Sequence, residues 1–242
     1  MPINNYLPFV STLIMFIFTV SVFQRYIVRR NPAFLFWGIG LAMFGSGSFA
    51  EAYLALAWSP LVFAIWYLFG AALNAAWLGH GTLNLLVKKR WVHVVTALLI
   101  AGSAVAAYLM ITTPLDASHY VRGVAISEQY REIMPRGAPV RMTTPFFNIY
   151  GLLTLVGGAI YSAFLFWRKR VLPNRVLGNV LIAAGALSIG FASSLTRLGI
   201  GAYLYLGELL AAVLMYGGFL LAAGPKSEPV RSEQPASSSA GK

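Results

Sequence analysis

"LVFAIWYLFGAALNAAWLGHGTLNLLVKKR", residues 61–90, is the stretch whose reading decides the fold. It is apolar almost throughout from Leu61 to Val87 and stops at Lys88-Lys89-Arg90. As a helix rising about 1.5 Å per residue it outspans a hydrocarbon core of about 30 Å. A soluble domain has little use for such a run. In lipid, where no water can satisfy backbone N–H and C=O groups, the run must be a helix. Inside it sit Asn74, His80 and Asn84, with His80 between Gly79 and Gly81. The role of that histidine depends on what the rest of the chain brings to it.

The same pattern recurs along all 242 residues. Apolar runs cover about Tyr6 to Val28, Phe34 to Trp58, Leu61 to Val87, Trp91 to Ile111, Phe146 to Trp167, Val176 to Leu195 and Tyr203 to Ala223. Asn31-Pro32, Ser59-Pro60 and Pro173-Asn174 are turn signals between them. Hydrophobic residues make up 58% of the chain and charged residues only 10%, with a mean hydropathy of +0.71. Soluble domains carry about 25% charged residues, so too few polar side chains remain here to cover a water-facing surface. The expectation is an all-α integral membrane protein. Residues 1–224 would form a seven-transmembrane-helix bundle, and residues 225–242, "PKSEPVRSEQPASSSAGK" after the first glycine, a polar disordered tail with no output domain attached.

Charge sets the expected orientation. Arg25, Arg29 and Arg30 follow the first run, Lys88, Lys89 and Arg90 the third, and Arg168, Lys169, Arg170 and Arg175 the fifth; Lys226, Arg231 and Lys242 lie on the tail. With seven crossings all of these fall on one side. The positive-inside rule then places the N-terminus outside and the C-terminus in the cytoplasm of a cell membrane. The net charge of +11 is explained by these clusters, which would attract anionic lipid head groups. Basic residues split among membrane-flanking groups argue against nucleic-acid binding. The first run has no positive region before it and its charges come after it, so it reads as a retained helix rather than a cleaved signal peptide.

The loop from Thr112 to Pro145 would lie outside. Its centre, "ISEQYREIM", spaces Ile126, Tyr130 and Ile133 as one face of a short amphipathic helix, resting on the membrane surface or over the bundle mouth. A weak parallel repeat is also visible. The third run can be laid on the seventh, pairing Gly79 with Gly217, and the second on the sixth, pairing Gly47 with Gly190. That would give a three-plus-one-plus-three arrangement of a kind some transporters use.

Ionisable and amide groups within the runs are the candidate site. Leaving such a group unpaired in lipid is costly, so each must face protein or a cavity. Glu51, Arg197 and Glu208 fall at similar depth in the outer half, near Asn148, and suggest one cluster. It would serve either as a staple joining the second, sixth and seventh helices or as a ligand or ion contact. His80 lies in the other half. A stripe of Trp66, Gly70, Asn74, Trp77, Gly81 and Asn84 runs beside it, and the sixth helix offers Asn179, Ala183, Gly190 and Arg197 in a matching stripe. His80 is expected to hydrogen-bond across that contact, to a helix carbonyl or Asn179, with proton sensing as the other reading.

Several functions are excluded or disfavoured. Cysteine is absent, which removes disulfides, thiolate metal sites and thiol catalysis. Lysines stand only at 88, 89, 169, 226 and 242, so no intramembrane lysine can carry a retinal Schiff base. His80, His93 and His119 lie at different depths and make a paired haem ligation or a catalytic metal site improbable on chemistry alone. "FGSGSFAE" around Ser46 and Ser48 looks like a serine-nucleophile motif but lacks a histidine base on the sixth helix. The sequence therefore leads to a protein without enzymatic activity, cofactor or metal: a heptahelical sensor, a binding protein or a subunit contacting a membrane-protein partner. The alternative is a small transporter or channel for a solute or proton.

Overall fold

The computed structural model describes residues 7–169, 173–197 and 204–223, and their side chains except at 173 and 193–197. The expectations for the tail 225–242, for the link near 198–202 and for the side chain of Arg197 lie outside the described residues. All regular secondary structure among the described residues is helical. The spans are α1 (Leu7–Arg29), α2 (Pro32–Leu54), α3 (Pro60–Leu86), α4 (Trp91–Thr112), α6 (Pro139–Arg168), α7 (Pro173–Arg197) and α8 (Leu204–Ala223); a short α5 (Ile126–Ile133) lies between α4 and α6. Among the described residues, seven helices are long and apolar enough to cross a membrane. The chain is a multi-pass, all-α membrane protein.

Local chemistry explains where helices start. Asn31 caps α2, its side chain accepting from the Ala33 N–H at 3.0 Å, and Pro32 occupies the first turn where its missing N–H costs nothing. Ser59 and Pro60 repeat the device at α3. Arg30, between α1 and α2, takes a left-handed φ of 50°, which ends α1 sharply.

Three expectations about boundaries are corrected. The second helix ends at Leu54, not Trp58, because Trp58 is drawn into a cluster with Phe63 and Tyr120. The outer loop does not run to Pro145. Pro139 starts α6 at its first turn, and Pro145 is carried inside the helix. The stripe on α3 is also not one regular 3.6-residue face, since Trp66–Leu73 is wound as a π-helix; Leu152–Val156 of α6 is wound the same way. A π segment adds a residue to a turn and rotates everything after it.

The spans α1, α2, α3, α6, α7 and α8 neighbour one another in a ring, and α4 lies outside it against α3 and α6. Val94, Leu98, Val105, Tyr108 and Ile111 of α4 point away from protein. Between lipid-soluble helices there is no hydrophobic gain, so association rests on close packing. Glycine supplies it where α2 meets α3. A Cβ at Gly70 would stand 3.3 Å from the Gly47 Cα, a backbone approach that a larger residue at either position would prevent. The two glycines matched in the repeat are not used alike. A side chain at Gly79 would collide with Thr154, whereas at Gly217 no described atom stands within 4 Å.

Two large cores divide the bundle, with a small third cluster of Val156, Ala159 and Ala183 between α6 and α7. At one end Phe63, Trp66, Ala106 and Met110 enclose Ile126, Ile133 and Met134 of the α4–α6 connection. At the other, Phe18, Phe34, Leu78, Met215 and Phe219 fill the ring.

Candidate functional site

The connection between α4 and α6 is a fitted lid. Asp116 accepts from the Ser118 N–H at 3.0 Å and from its hydroxyl at 2.6 Å, and these bonds hold its carboxyl below the usual carboxylate range. The chain then lies over the C-terminal end of α2. There the last carbonyls have no partner within the helix. The Tyr120 hydroxyl donates to the Leu54 carbonyl at 2.7 Å and the Gly123 N–H to the Ala55 carbonyl at 3.0 Å. Burial pushes the Tyr120 hydroxyl up. Gln129 is buried and braces the loop from within, accepting from the Val121 N–H at 2.7 Å and donating to the carbonyls of Val121 at 3.1 Å and Val124 at 2.9 Å. Ile126 and Ile133 are fully buried. Tyr130 packs on Trp66 with ring centroids 5.6 Å apart, and Arg141 stands 5.4 Å over the Tyr130 ring. Of the two placements open to the amphipathic segment, it occupies the one over the bundle mouth.

Beneath this lid α2 and α8 bring two carboxyls together. Glu51 is 1% exposed and Glu208 7%. Ser48, one turn before Glu51, donates to Glu208 Oε2 at 3.2 Å. The side chains of Glu208, Ser127 and Trp66 stand beside the Glu51 carboxyl, and Tyr205 and Glu128 are near enough to feel its charge. By distance and angle, Glu51 Oε1 and the lid's Ser127 Oγ make no hydrogen bond to any described residue. No cation pairs with either acid among the described residues, where the two ion pairs, His119–Asp116 and Arg136–Glu132, lie on the lid side. Two acids, a serine from below and a serine from above thus share one buried compartment. Low dielectric makes two like charges there very costly. Such a compartment is suited to holding a proton between the acids or a compact cationic group.

His80 occupies a second compartment. It is fully buried. Nδ1 lies 2.7 Å from the Tyr150 hydroxyl and Nε2 2.8 Å from Thr96 Oγ1. Thr96 donates its own proton to the Val92 carbonyl at 2.9 Å, so it accepts from Nε2–H; a neutral ring then accepts from Tyr150 at Nδ1. The Phe36 ring meets the imidazole edge-on at 4.6 Å. The expected partner, Asn179, is not used: it donates to the Arg175 carbonyl of its own helix at 2.9 Å. The ring reaches α4 and α6 instead. The glycines beside it allow that approach, since a Cβ at Gly79 would strike Thr154 of α6 and one at Gly81 the Trp37 ring.

The remaining candidates are spread out. Asn74 donates to the Gly70 carbonyl at 3.1 Å and Asn84 to the His80 carbonyl at 3.0 Å, both within α3. Asn148 crosses from α6 to the Ala71 carbonyl of the π segment at 3.1 Å, supporting backbone that the wide turn loosens. Sequence reading missed Ser48, Trp66 as an acid neighbour, Ser127, Gln129, Thr96 and Tyr150. Ser48 was legible, being three residues before Glu51 on one helical face; Tyr150 and Thr96 were isolated polar groups in apolar runs. The lid residues had no such signal. No group of three or more His, Asp or Glu side chains able to hold a metal occurs among the described residues. No family model, curated protein or solved structure matches the chain, so its function must be read from these two compartments and the lid.

Proposed function

We propose that this protein is a non-enzymatic heptahelical sensor, N-terminus outside and C-terminus in the cytoplasm of a cell membrane, whose responding group is the Glu51–Glu208 pair under the α5 lid. The observation that carries this is Ser127 of the lid standing beside the buried Glu51 carboxyl, which in turn stands beside Glu208, with no cation paired to either acid among the described residues. Two buried carboxyls side by side without a paired cation are costly to ionise together, so the pair responds to protonation in a way that a neutral structural staple would not. Protonation of the pair lets the lid close; ionisation of both acids sets two like charges under it and drives it off. Glu128 on α5 adds a third negative group on the lid side, and Tyr205 on α8 is the other titratable neighbour. The second reading, a small proton or solute transporter with the same acids, is supported by the ionisable groups in the bundle. It needs water at the acids, whereas Glu51 and His80 are 1% and 0% exposed.

The absence of cysteine makes a clean test. Ser127→Cys in the reconstituted full chain is labelled with a membrane-impermeant thiol reagent at a series of pH values, with thiolate reactivity corrected by an exposed Arg122→Cys control. Corrected labelling should rise with pH, and the rise should vanish in Glu51→Gln/Glu208→Gln. A rise that survives in the double glutamine variant removes the acids from the role. Proton-driven flux in the same vesicles would transfer the site to the transporter reading.

A further inference from the structure

At the end of the bundle remote from the lid, α6 and α7 part to leave an apolar groove of about 590 Å³. Ala163 and Ala183, both buried, are its floor; small side chains there let the helices touch below and splay above. Phe164 and Trp167 rise on the α6 side, Val180 and Leu187 on the α7 side, each about half exposed or more. From Val176 to Leu187 the groove follows twelve residues of helix, a length of about 16 Å at about 1.5 Å per step. That is close to half of a hydrocarbon core of about 30 Å, the depth of one leaflet.

The mouth of the groove is charged. Arg168 and Lys169 follow Trp167 and are exposed, and Arg175 precedes Val176. The Arg175 guanidinium leans back to α6, 5.8 Å over the Phe166 ring. Neither α6 nor α7 contains an Asp or Glu, and none of these three cations has an ion-pair partner among the described residues. A tryptophan at the rim is the residue that settles at the lipid–water boundary.

We propose that this groove is a binding site for one anionic phospholipid of the leaflet at the basic end. One acyl chain lies on the Ala163–Ala183 floor and the phosphate is held by Arg168, Lys169 and Arg175. The match of groove length to a single leaflet, and of three unpaired cations to its mouth, selects a phospholipid over a protein helix, which would need no such charge and would not stop at mid-membrane. Ordinary solvation of an apolar surface would show neither head-group preference nor sensitivity to groove shape.

The test uses the full chain purified in a neutral detergent, titrated with phosphatidylglycerol, with phosphatidylcholine and with inorganic phosphate. Retained lipid is counted by native mass spectrometry and the thermal midpoint is followed in parallel. Phosphatidylglycerol should be retained at one per chain and raise the midpoint; phosphatidylcholine should bind more weakly, and phosphate alone should do neither. Arg175→Gln should weaken phosphatidylglycerol about fivefold, the usual effect of one basic residue on an anionic lipid. Ala183→Leu fills the floor and should abolish retention. Since that variant intrudes on a buried contact, Ala184→Phe, which fills the groove from an exposed position, is measured beside it. Equal binding of the two lipids, a midpoint shift from phosphate alone, undiminished retention in Ala184→Phe, or dissociation of an oligomer by that variant would each overturn the proposal.

Discussion

His80 shows how a polar side chain is accommodated where water is absent. Both ring nitrogens are engaged, by Tyr150 and Thr96, and the ring is enclosed by Phe36. The hydrogen bonds of the imidazole are complete, and they link α3 to α4 and α6. His80→Leu keeps the bulk and removes both bonds. It should lower stability by about 1–2 kcal/mol, given about 0.6–1 kcal/mol for each interhelical bond in a membrane. Tyr150→Phe should cost less, because Nδ1 alone is orphaned. The measurement is reversible unfolding in mixed micelles, with a double-mutant cycle for the pair. A coupling near zero would mean that the short contact contributes nothing. A stable His80→Leu protein with an altered pH response would make the histidine a second responding group. Glu51 contrasts with it at the same scale, equally buried but with one oxygen bonded to none of the described residues. The difference between a completed and an incomplete polar group, rather than the presence of polarity, separates scaffold from site here.

Elements carry the next level. The seven spans were legible because apolar length alone specifies a membrane helix, and the start signals Asn31-Pro32 and Ser59-Pro60 act as caps in the structure. The π segments were not legible. Trp66–Leu73 and Leu152–Val156 hold residues with no bias against a regular turn, and only their neighbours, such as Asn148 bonding the Ala71 carbonyl, favour the wider winding. None of the six residues of the stripe drawn on α3 is exposed, but they do not share one face: Trp66 packs on the lid, Gly70 and Gly81 meet α2, and Trp77 donates to Ser103 of α4. The α5 helix was legible from the spacing of Ile126, Tyr130 and Ile133, but its seat was not, since the carbonyls of Leu54 and Ala55 that receive Tyr120 and Gly123 are backbone groups with no sequence signature. Gln129 is the brace of this element. Gln129→Ala removes three hydrogen bonds and should loosen the lid by about 2–3 kcal/mol, at about 1 kcal/mol each. Hydrogen exchange at the amides of Val121 and Gly123 should speed up while the amides of α2 and α8 keep their protection. Unchanged exchange at Val121 would show that Ile126 and Ile133 hold the lid without help.

The whole molecule has two unlike ends. One carries the lid, its acid pair and a mixture of charges; the other carries Arg25, Lys88, Arg168 and Arg175. The Arg25 guanidinium reaches the Ala223 carbonyl at 3.5 Å, so the C-terminal ends of α1 and α8 lie together, as an odd number of crossings requires. Lys88 turns back to the Asn84 carbonyl at 2.8 Å, a long side chain held at a helix end. Positive groups are retained on the cytoplasmic side during insertion, so the basic end should face the cytoplasm and the lid the exterior. A reporter active only in the cytoplasm, fused after Lys242, should be active, and the same reporter inserted at Arg122 should be silent. Arg122 is exposed on the lid, in a turn whose neighbours Val121 and Gly123 make the nearby bonds. The reciprocal reporter, active only outside, should give the opposite pair of results. Cytoplasmic activity at Arg122 would invert the molecule. The acid pair would then face the cell interior, the lipid groove the outer leaflet, and a sensor of external pH would be ruled out by orientation alone.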